Sequence, residues 1–321
     1  MINTPFTEIT GCQVPIQLAG MPGVATKELA AAVSNAGGLG MISGTHMPPN
    51  FLLDTIDNLK KITGDPFGVN FLMPFLDRDC VEVAASKSRV VEFFYGDPDP
   101  SLIEIVHNGG ALACWQIGSV KEAALAEKAG CDLIVAQGTQ AGGHVRGDIQ
   151  LTPLLQEVLD NVKIPVIAAG GLGTAGDIAK VLEFGAAAAR IGTRFVAAKE
   201  SGAHPKYVQA LVDAGAEDTV LTETFSVGWP HAHHRVLKSC VAEVNSFEGD
   251  TVGERDLAGE KKPILRGSIA LPTINTTGKI EAMALYAGES VGAVEEVKSA
   301  EEIMNELVTG ACSCLNSASV K

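Results

Sequence analysis

The chain has 321 residues, 46% of them hydrophobic and 5% aromatic, with 38 acidic side chains against 24 Lys and Arg and a formal net charge of −14. That apolar fraction excludes a disordered chain, and the acidic balance disfavours nucleic acid and anionic membranes as partners. No stretch reaches the roughly 20 apolar residues of a membrane span, no signal-peptide pattern opens the chain, and the seven Cys are dispersed without a C-x-x-C. A cytoplasmic location is therefore expected, with neither a disulfide framework nor a metal site.

Short apolar runs alternate with longer amphipathic ones. Residues 15–19 form the first expected strand, Thr26 caps a helix to residue 36, and Gly37-Gly38 ends it. Strands are expected over 40–43, 67–71 and 89–95, with helices over 51–62, 79–86 and 101–108 between and after them. A fifth strand spans 111–116, Ser119 caps a helix to 129, and a sixth strand spans 132–136. A Gly-rich loop over 138–147 leads to a helix over 153–161. Strands seven and eight are expected over 165–168 and 187–191, with a helix over 175–184 between them. A short helix follows Gly192-Thr193, and another covers 205–214. The strands are continuous apolar runs, as expected of a parallel sheet covered on both faces. Eight repeats favour an α/β fold of the (β/α)8 TIM-barrel type over an open sheet.

The expected division is a barrel over 1–221, an irregular substrate or lid subdomain over 222–280, and returning helices over 281–321, with helical segments near 279–287 and 299–309. The middle segment shows little periodicity, yet a structureless loop of that length would be improbable in a compact domain.

Three motifs carry chemistry. The turns Ala168-Ala169-Gly170-Gly171-Leu172-Gly173-Thr174 and Arg190-Ile191-Gly192-Thr193-Arg194 follow strands seven and eight. In barrels these two loops often hold a phosphate, because glycine lets backbone N–H groups approach an anion. The second motif, Gln137-Gly138-Thr139-Gln140-Ala141-Gly142-Gly143-His144-Val145-Arg146-Gly147, starts at the catalytic end of strand six. His144, flanked by Gly142 and Gly143, is the candidate catalytic residue, with an ordinary pKa near neutrality suited to proton transfer. The third is Gly228-Trp229-Pro230-His231-Ala232-His233-His234-Arg235. It has no zinc-type spacing, so it reads as a substrate-facing lid segment or plain surface.

On these residues, together with Pro15-Ile16 through Met21, residues 30–40, Phe67-Gly68-Val69-Asn70, Ile164 through Gly171, Gly192-Thr193-Arg194-Phe195 and Met283-Ala284-Leu285-Tyr286-Ala287-Gly288, the sequence resembles the nitronate monooxygenase family. That family, formerly called 2-nitropropane dioxygenases, includes FMN-dependent enoyl-acyl-carrier-protein reductases. The resemblance implies FMN at the barrel mouth. It puts the phosphate on Gly170, Gly171, Gly192 and Thr193 and the isoalloxazine near Met21, Pro22, Asn70, Gln116 and Gln137. Gly23, Gly142, Gly143, Ala169, Tyr286 and Gly288 complete the implied cofactor set. His144 is the implied base, and the implied reaction converts nitroalkanes and their nitronates, with oxygen, to carbonyl compounds and nitrite. The alternative is an NAD(P)H-dependent reductase of an enoyl thioester or quinone. The expected partners are a small-molecule substrate and, at most, a second copy of the chain in a homodimer. Gln140, where relatives often carry Glu, Glu289, where they often carry Gln, Arg146, one residue beyond a usual Gly position, and the 228–235 segment depart from the pattern and are expected to lie around the substrate.

Overall fold

A computed structural model describes residues 2–257 and 259–318. The strands are β1 (Ile16–Leu18), β2 (Gly40–Ser43), β3 (Phe67–Leu72), β4 (Val90–Phe94), β5 (Leu112–Ile117), β6 (Leu133–Gln137), β7 (Gly143–His144), β8 (Val166–Ala169), β9 (Ala188–Ile191), β10 (Thr219–Thr222), β11 (His234–Leu237), β12 (Thr251–Leu257), β13 (Glu260–Leu265) and β14 (Thr276–Gly278). The helices are α1 (Pro5–Thr10), α2 (Lys27–Asn35), α3 (Pro49–Leu59), α4 (Arg78–Lys87), α5 (Pro100–Gly109), α6 (Val120–Ala129), α7 (Leu151–Asn161), α8 (Ala175–Glu183), α9 (Thr193–Val196), α10 (Pro205–Val212), α11 (Lys238–Ser246) and α12 (Ala300–Ala318).

Eight strands form one parallel sheet in the order β1-β9-β8-β6-β5-β4-β3-β2. Its two ends meet through Leu39, which donates to Ile16 O at 2.9 Å and accepts from Leu18 N at 3.0 Å. The expected (β/α)8 barrel is therefore present, with each of the eight expected strands within one or two residues of its sequence-read bounds. Local chemistry explains why. Thr26 Oγ1 accepts from Leu29 N, Ser119 Oγ accepts from Glu122 N, and Thr174 and Asp177 form a capping box. Gly37, at φ +88°, closes α2 in the left-handed conformation that glycine adopts without strain.

The barrel interior and its helices share one apolar core, which includes Phe71, Phe93 and Trp115. A second apolar cluster lies over the mouth and draws on Val24, Val196, Tyr207, Phe225, Val236, Cys240, Met283 and Leu285. Five of the seven Cys are buried and all are free thiols.

Some expectations are corrected. The 222–280 segment is not irregular. It holds β11, α11, the β12–β13 hairpin and β14, which pairs with β12. Its strands carry charged residues on an exposed face, as in Glu254, Asp256, Lys261 and Lys262, and this hides the alternation. The helix expected over 279–287 shrinks to a single 3-10 turn, Ile280–Ala282, because Tyr286 pairs in extended form with Val236. Helix α1 and the two-residue β7 were not among the expected elements, although Thr4 and Pro5 supply the N-cap and first-turn Pro of α1. The C-terminal helix runs longer than expected and packs against α8 and α2. Among the described residues, no helix is long and apolar enough to cross a membrane.

Candidate active site

One cavity of about 340 Å³ opens at the C-terminal ends of the barrel strands. The last residues of the barrel strands, such as Asn70, Phe94, Gln116, Gln137 and Arg190, and the turns after several of them line it, the end from which a parallel barrel presents side chains to a ligand. Of the sequence-read candidates, Met21, Pro22, Asn70, Gln116, Gln137, Gly142, Gly143, His144, Ala169, Gly170, Gly171, Gly192, Thr193 and Tyr286 line it. Gly23 and Gly288 do not line it. Gly23, at φ +74°, packs a Cβ position 3.0 Å from Thr273, and Gly288 lies against Gly142, where an added Cβ would meet Gly142 N at 2.8 Å.

The floor is a buried polar layer. Glu92 of β4 is fully buried and accepts from Asn70 Nδ2 at 2.8 Å, from Gln17 Nε2 at 3.2 Å and, very closely, from Arg190. Arg190 also donates to Gln116 Oε1 at 2.5 Å and to Gln17 Oε1 at 3.2 and 3.3 Å. Burial pulls the guanidinium pKa down to about 9, still above neutrality, so Arg190 stays charged beside Glu92. This layer fixes how Asn70 faces. Asn70 must turn its NH2 toward the carboxylate, so its Oδ1 points away and is buried without a partner. Gln137 donates Nε2 to His144 O at 3.1 Å, and its Oε1 is likewise buried and unpartnered.

His144 sits on β7, which β11 extends, with His144 opposite His234 and Gly143 opposite Arg235. Val145 N also donates to His233 O at 2.8 Å. Arg235 pins the loop further, donating Nε to Thr139 O at 2.8 Å. The imidazole stacks on Trp229 at a centroid distance of 4.0 Å, and Tyr286, Tyr95 and His234 surround it. Its Nε2 is buried without a partner. Burial, then the neighbouring His234, pushes its pKa from 6.5 to about 3, so the near-neutral value expected from sequence is wrong. The aromatic wall closes over the ring.

The third motif divides three ways. His234 is buried, placing one ring nitrogen 2.8 Å from Ala232 O and accepting from Phe225 N at the other. His233 pairs with Glu223 at 3.1 Å on the surface, and His231 is exposed. Among the described residues no three His, Cys, Asp or Glu side chains come together as a metal site.

Of the departures, Trp229 of the 228–235 segment lines the cavity, whereas Arg146, Gln140 and Glu289 fall outside it, which corrects the expectation for these three. Gln140 Oε1 accepts from Leu151 N at 2.9 Å, so it caps α7, and Glu289 lies 3.5 Å from Arg235. Residues the sequence reading missed are His46, Phe75, Phe94, Arg255, Ile269 and Leu271 in the wall and Gln17 and Glu92 beneath it. Gln17 falls within the 15–21 segment of the resemblance; the others carry no glycine or motif signal. Arg194, part of the Gly-Thr-Arg-Phe motif, is structural: it holds Gly173 O at 3.0 Å and Glu306 of α12 at 3.2 Å.

The nitronate monooxygenase family pattern matches residues 3–79 and 77–310. The chain belongs to the nitronate monooxygenase family. It is 31% identical to (3aS,4S,5R,7aS)-5-hydroxy-7a-methyl-1-oxo-octahydro-1H-indene-4-carboxyl-CoA dehydrogenase of Mycobacterium tuberculosis, over 99% of this chain and 98% of that one. Among solved structures, FabK from Thermotoga maritima superposes with a TM-score of 0.82 at 29% identity, covering 99% of both chains. Nitroalkane oxidase from Streptomyces ansochromogenes does so with a TM-score of 0.81 at 28% identity, covering 98% of this chain and 100% of that one. This member of the family is an oxidoreductase.

The residues present fit a flavin phosphate and ring. Gly170 and Gly171 adopt φ +115° and +73°, and a Cβ on Gly170 would lie 2.9 Å from Gly138 O. Only glycine keeps this turn tight and its N–H groups approachable. Thr193 Oγ1 accepts from Gly288 N at 3.0 Å, which leaves its own O–H to donate toward the cavity. Asn70 Oδ1 and Gln137 Oε1, buried without partners on residues of the lining, are free acceptors that would suit ring N–H groups.

Proposed function

We propose that this protein is an FMN-dependent oxidoreductase that oxidises alkyl nitronates, and the nitroalkanes they derive from, with oxygen to carbonyl compounds and nitrite. The observation that carries this reading is that four residues lining one cavity each keep a buried polar atom without a partner: Asn70 Oδ1, Gln137 Oε1, His144 Nε2 and Arg255 Nε. Unpaired buried polar groups cost about 1–3 kcal/mol each, so a site that keeps four is built for a polar ligand. FMN, when bound, supplies the electron acceptance.

The chain supplies binding and proton handling. The Gly170-Gly171 and Gly192-Thr193 backbones and the Thr193 hydroxyl would hold the phosphate, and Met21, Pro22, Asn70, Gln116 and Gln137 the ring. Ala169, Gly142, Gly143 and Tyr286 complete the wall around it. His144 Nε2 is a neutral acceptor above about pH 3 and can take the α-proton of a nitroalkane. The imidazolium so formed is unfavourable alone in this dry wall. The negative charge developing on the nitronate offsets that cost, and the attraction is strong because water is excluded. Trp229 and Tyr286 keep the ring in place.

A second reading, NAD(P)H-dependent reduction of an enoyl thioester or quinone, draws on the likeness to FabK and to the carboxyl-CoA dehydrogenase. Anaerobic mixing of the FMN-loaded protein with a nitronate, and separately with NADH, separates the two. Bleaching of the flavin spectrum by nitronate alone is expected. Bleaching by NADH alone, with turnover of an enoyl thioester, would replace the first reading by the second.

The phosphate assignment has its own test. Gly171→Val forces a β-branched residue into φ +73°, with its Cβ 3.0 Å from Gln140 Cβ. Thr193→Val removes the hydroxyl and the acceptor of Gly288 N. Both variants are expected to bind FMN at least about tenfold more weakly, the worth of one good hydrogen bond. Wild-type affinity in both, by flavin fluorescence titration, would remove the phosphate from these loops.

A further inference from the structure

Arg255 of β12 lines the same cavity from the side of the mouth-covering layer, beside Ile269, Ala270 and Leu271. Its guanidinium donates from one terminal nitrogen to Leu271 O, and its Nε is buried with no partner. No carboxylate among the described residues pairs with it. Its strand neighbours Glu254 and Asp256 point to the opposite, exposed face, as alternation along a strand requires. Glu254 lies 3.8 Å from Lys261, and Asp256 accepts from Gly259 N at 2.7 Å. The other arginine in the lining, Arg190, is neutralised by Glu92. A chain of net charge −14 thus keeps one half-buried cation in the wall of an apolar chamber without a counter-ion. A guanidinium is a planar fork of donors matched to carboxylate or phosphate, and leaving it half desolvated and unpaired is costly.

We propose that Arg255 is an anion hook: the substrate carries a carboxylate or phosphate remote from its reacting carbon, and the Arg255 guanidinium holds that group. The apolar neighbours Val24, Ile269 and Leu271 line the path taken by the substrate body. Burial, the one influence acting on the Arg255 pKa, pulls it down, and a bound anion would reverse that pull. The favoured substrate is then amphiphilic, with an apolar stem and a terminal anion, rather than a short neutral nitroalkane. This inference rests on reading the cavity as the substrate chamber.

The test is calorimetric binding to the flavin-loaded full chain, which needs no turnover. One probe pair is hexanoate and hexanamide, for a carboxylate source. The other is phosphopantetheine and pantetheine, for a phosphate source. In at least one pair the anionic member is expected to bind at least about tenfold tighter, as one charge-assisted hydrogen bond provides. Arg255→Gln is expected to erase that preference and Arg255→Lys to keep part of it, with flavin content unchanged in both. Equal binding within both pairs overturns the hook, as does a preference that survives in Arg255→Gln. Loss of flavin in Arg255→Gln overturns it too, since the guanidinium would then serve the cofactor. A protein that prefers the anion but oxidises no nitronate keeps the hook and sinks the proposed reaction. Nitronate turnover without anion preference does the reverse.

Discussion

Replacement of His144 by Ala is expected to lower kcat/KM for a neutral nitroalkane by about 10²–10⁴-fold, the usual worth of a positioned general base, and to lower it far less for the preformed nitronate. A nitronate has already lost the proton that Nε2 would take. The ring is well placed for the task. Strand β11 fixes its backbone, Trp229 stacks on one face, and Nε2 is left without a partner in the protein. Because Ala also empties the Trp229 stack, His144→Gln serves as the second variant: it keeps bulk and hydrogen bonding but not basicity. Equal losses on both substrates would mean that the imidazole orients or packs and does not accept a proton. The pH profile gives an independent check. A pKa near 3 leaves the ring neutral at every higher pH, so the accepting form is fully present from about pH 4 upward. An ordinary His would lose about thirtyfold of its neutral form by pH 5. The profile of kcat/KM, which reports the free enzyme, is therefore expected to stay level between pH 8 and pH 5. An acid limb with a midpoint near 6.5 would show that water reaches the ring.

The barrel was legible because parallel strands buried on both faces announce themselves as unbroken apolar runs, and because the caps are local. Thr26, Ser119 and Gly37 need only neighbours within four residues to do what they do. The layer over the mouth was not legible for the opposite reason. Its hairpin exposes Glu254, Asp256, Lys261 and Lys262, and its order comes from pairing with distant segments, such as Val236 with Tyr286. The expected helix over 279–287 failed there, since tertiary pairing overrode local propensity.

The site divides along the same line. The glycine turns and the His144 loop were visible because glycine spacing has a backbone cause. Asn70, Gln116 and Gln137 entered only through the resemblance to the family. Glu92 was hidden: one acidic residue inside the apolar run Val90-Val91-Glu92-Phe93-Phe94 reads as a solvent-facing position until a barrel closes around it. Its partners Gln17 and Arg190 lie 75 and 98 residues away in sequence. The depressed pKa of His144 was equally invisible, since it depends on Trp229 and His234, which approach from the layer above.

That hidden layer carries the second large effect. Glu92 and Asn70 sit side by side across β4 and β3, and Gln17 and Arg190 across β1 and β9, so opposite walls of the barrel meet through one ion pair. Removing one partner leaves an uncompensated buried charge, which costs about 3–5 kcal/mol, whereas removing both need not. Glu92→Gln is therefore expected to lower the unfolding free energy by about that amount while keeping nearly the same side-chain volume. Adding Arg190→Gln in the same chain is expected to recover a large part of the loss, because no net charge then remains in the barrel. The function should not recover with it. In the double variant Asn70 no longer faces a carboxylate, nothing fixes which end of its amide points to the cavity, and Gln116 loses its guanidinium donor. Denaturant unfolding and FMN titration of the single and double variants read the two consequences apart. Stability that returns with weak FMN binding is the expected pattern. Additive losses in stability would show that Glu92 and Arg190 act separately, and full FMN affinity in the double variant would show that the layer holds up the barrel without orienting the site.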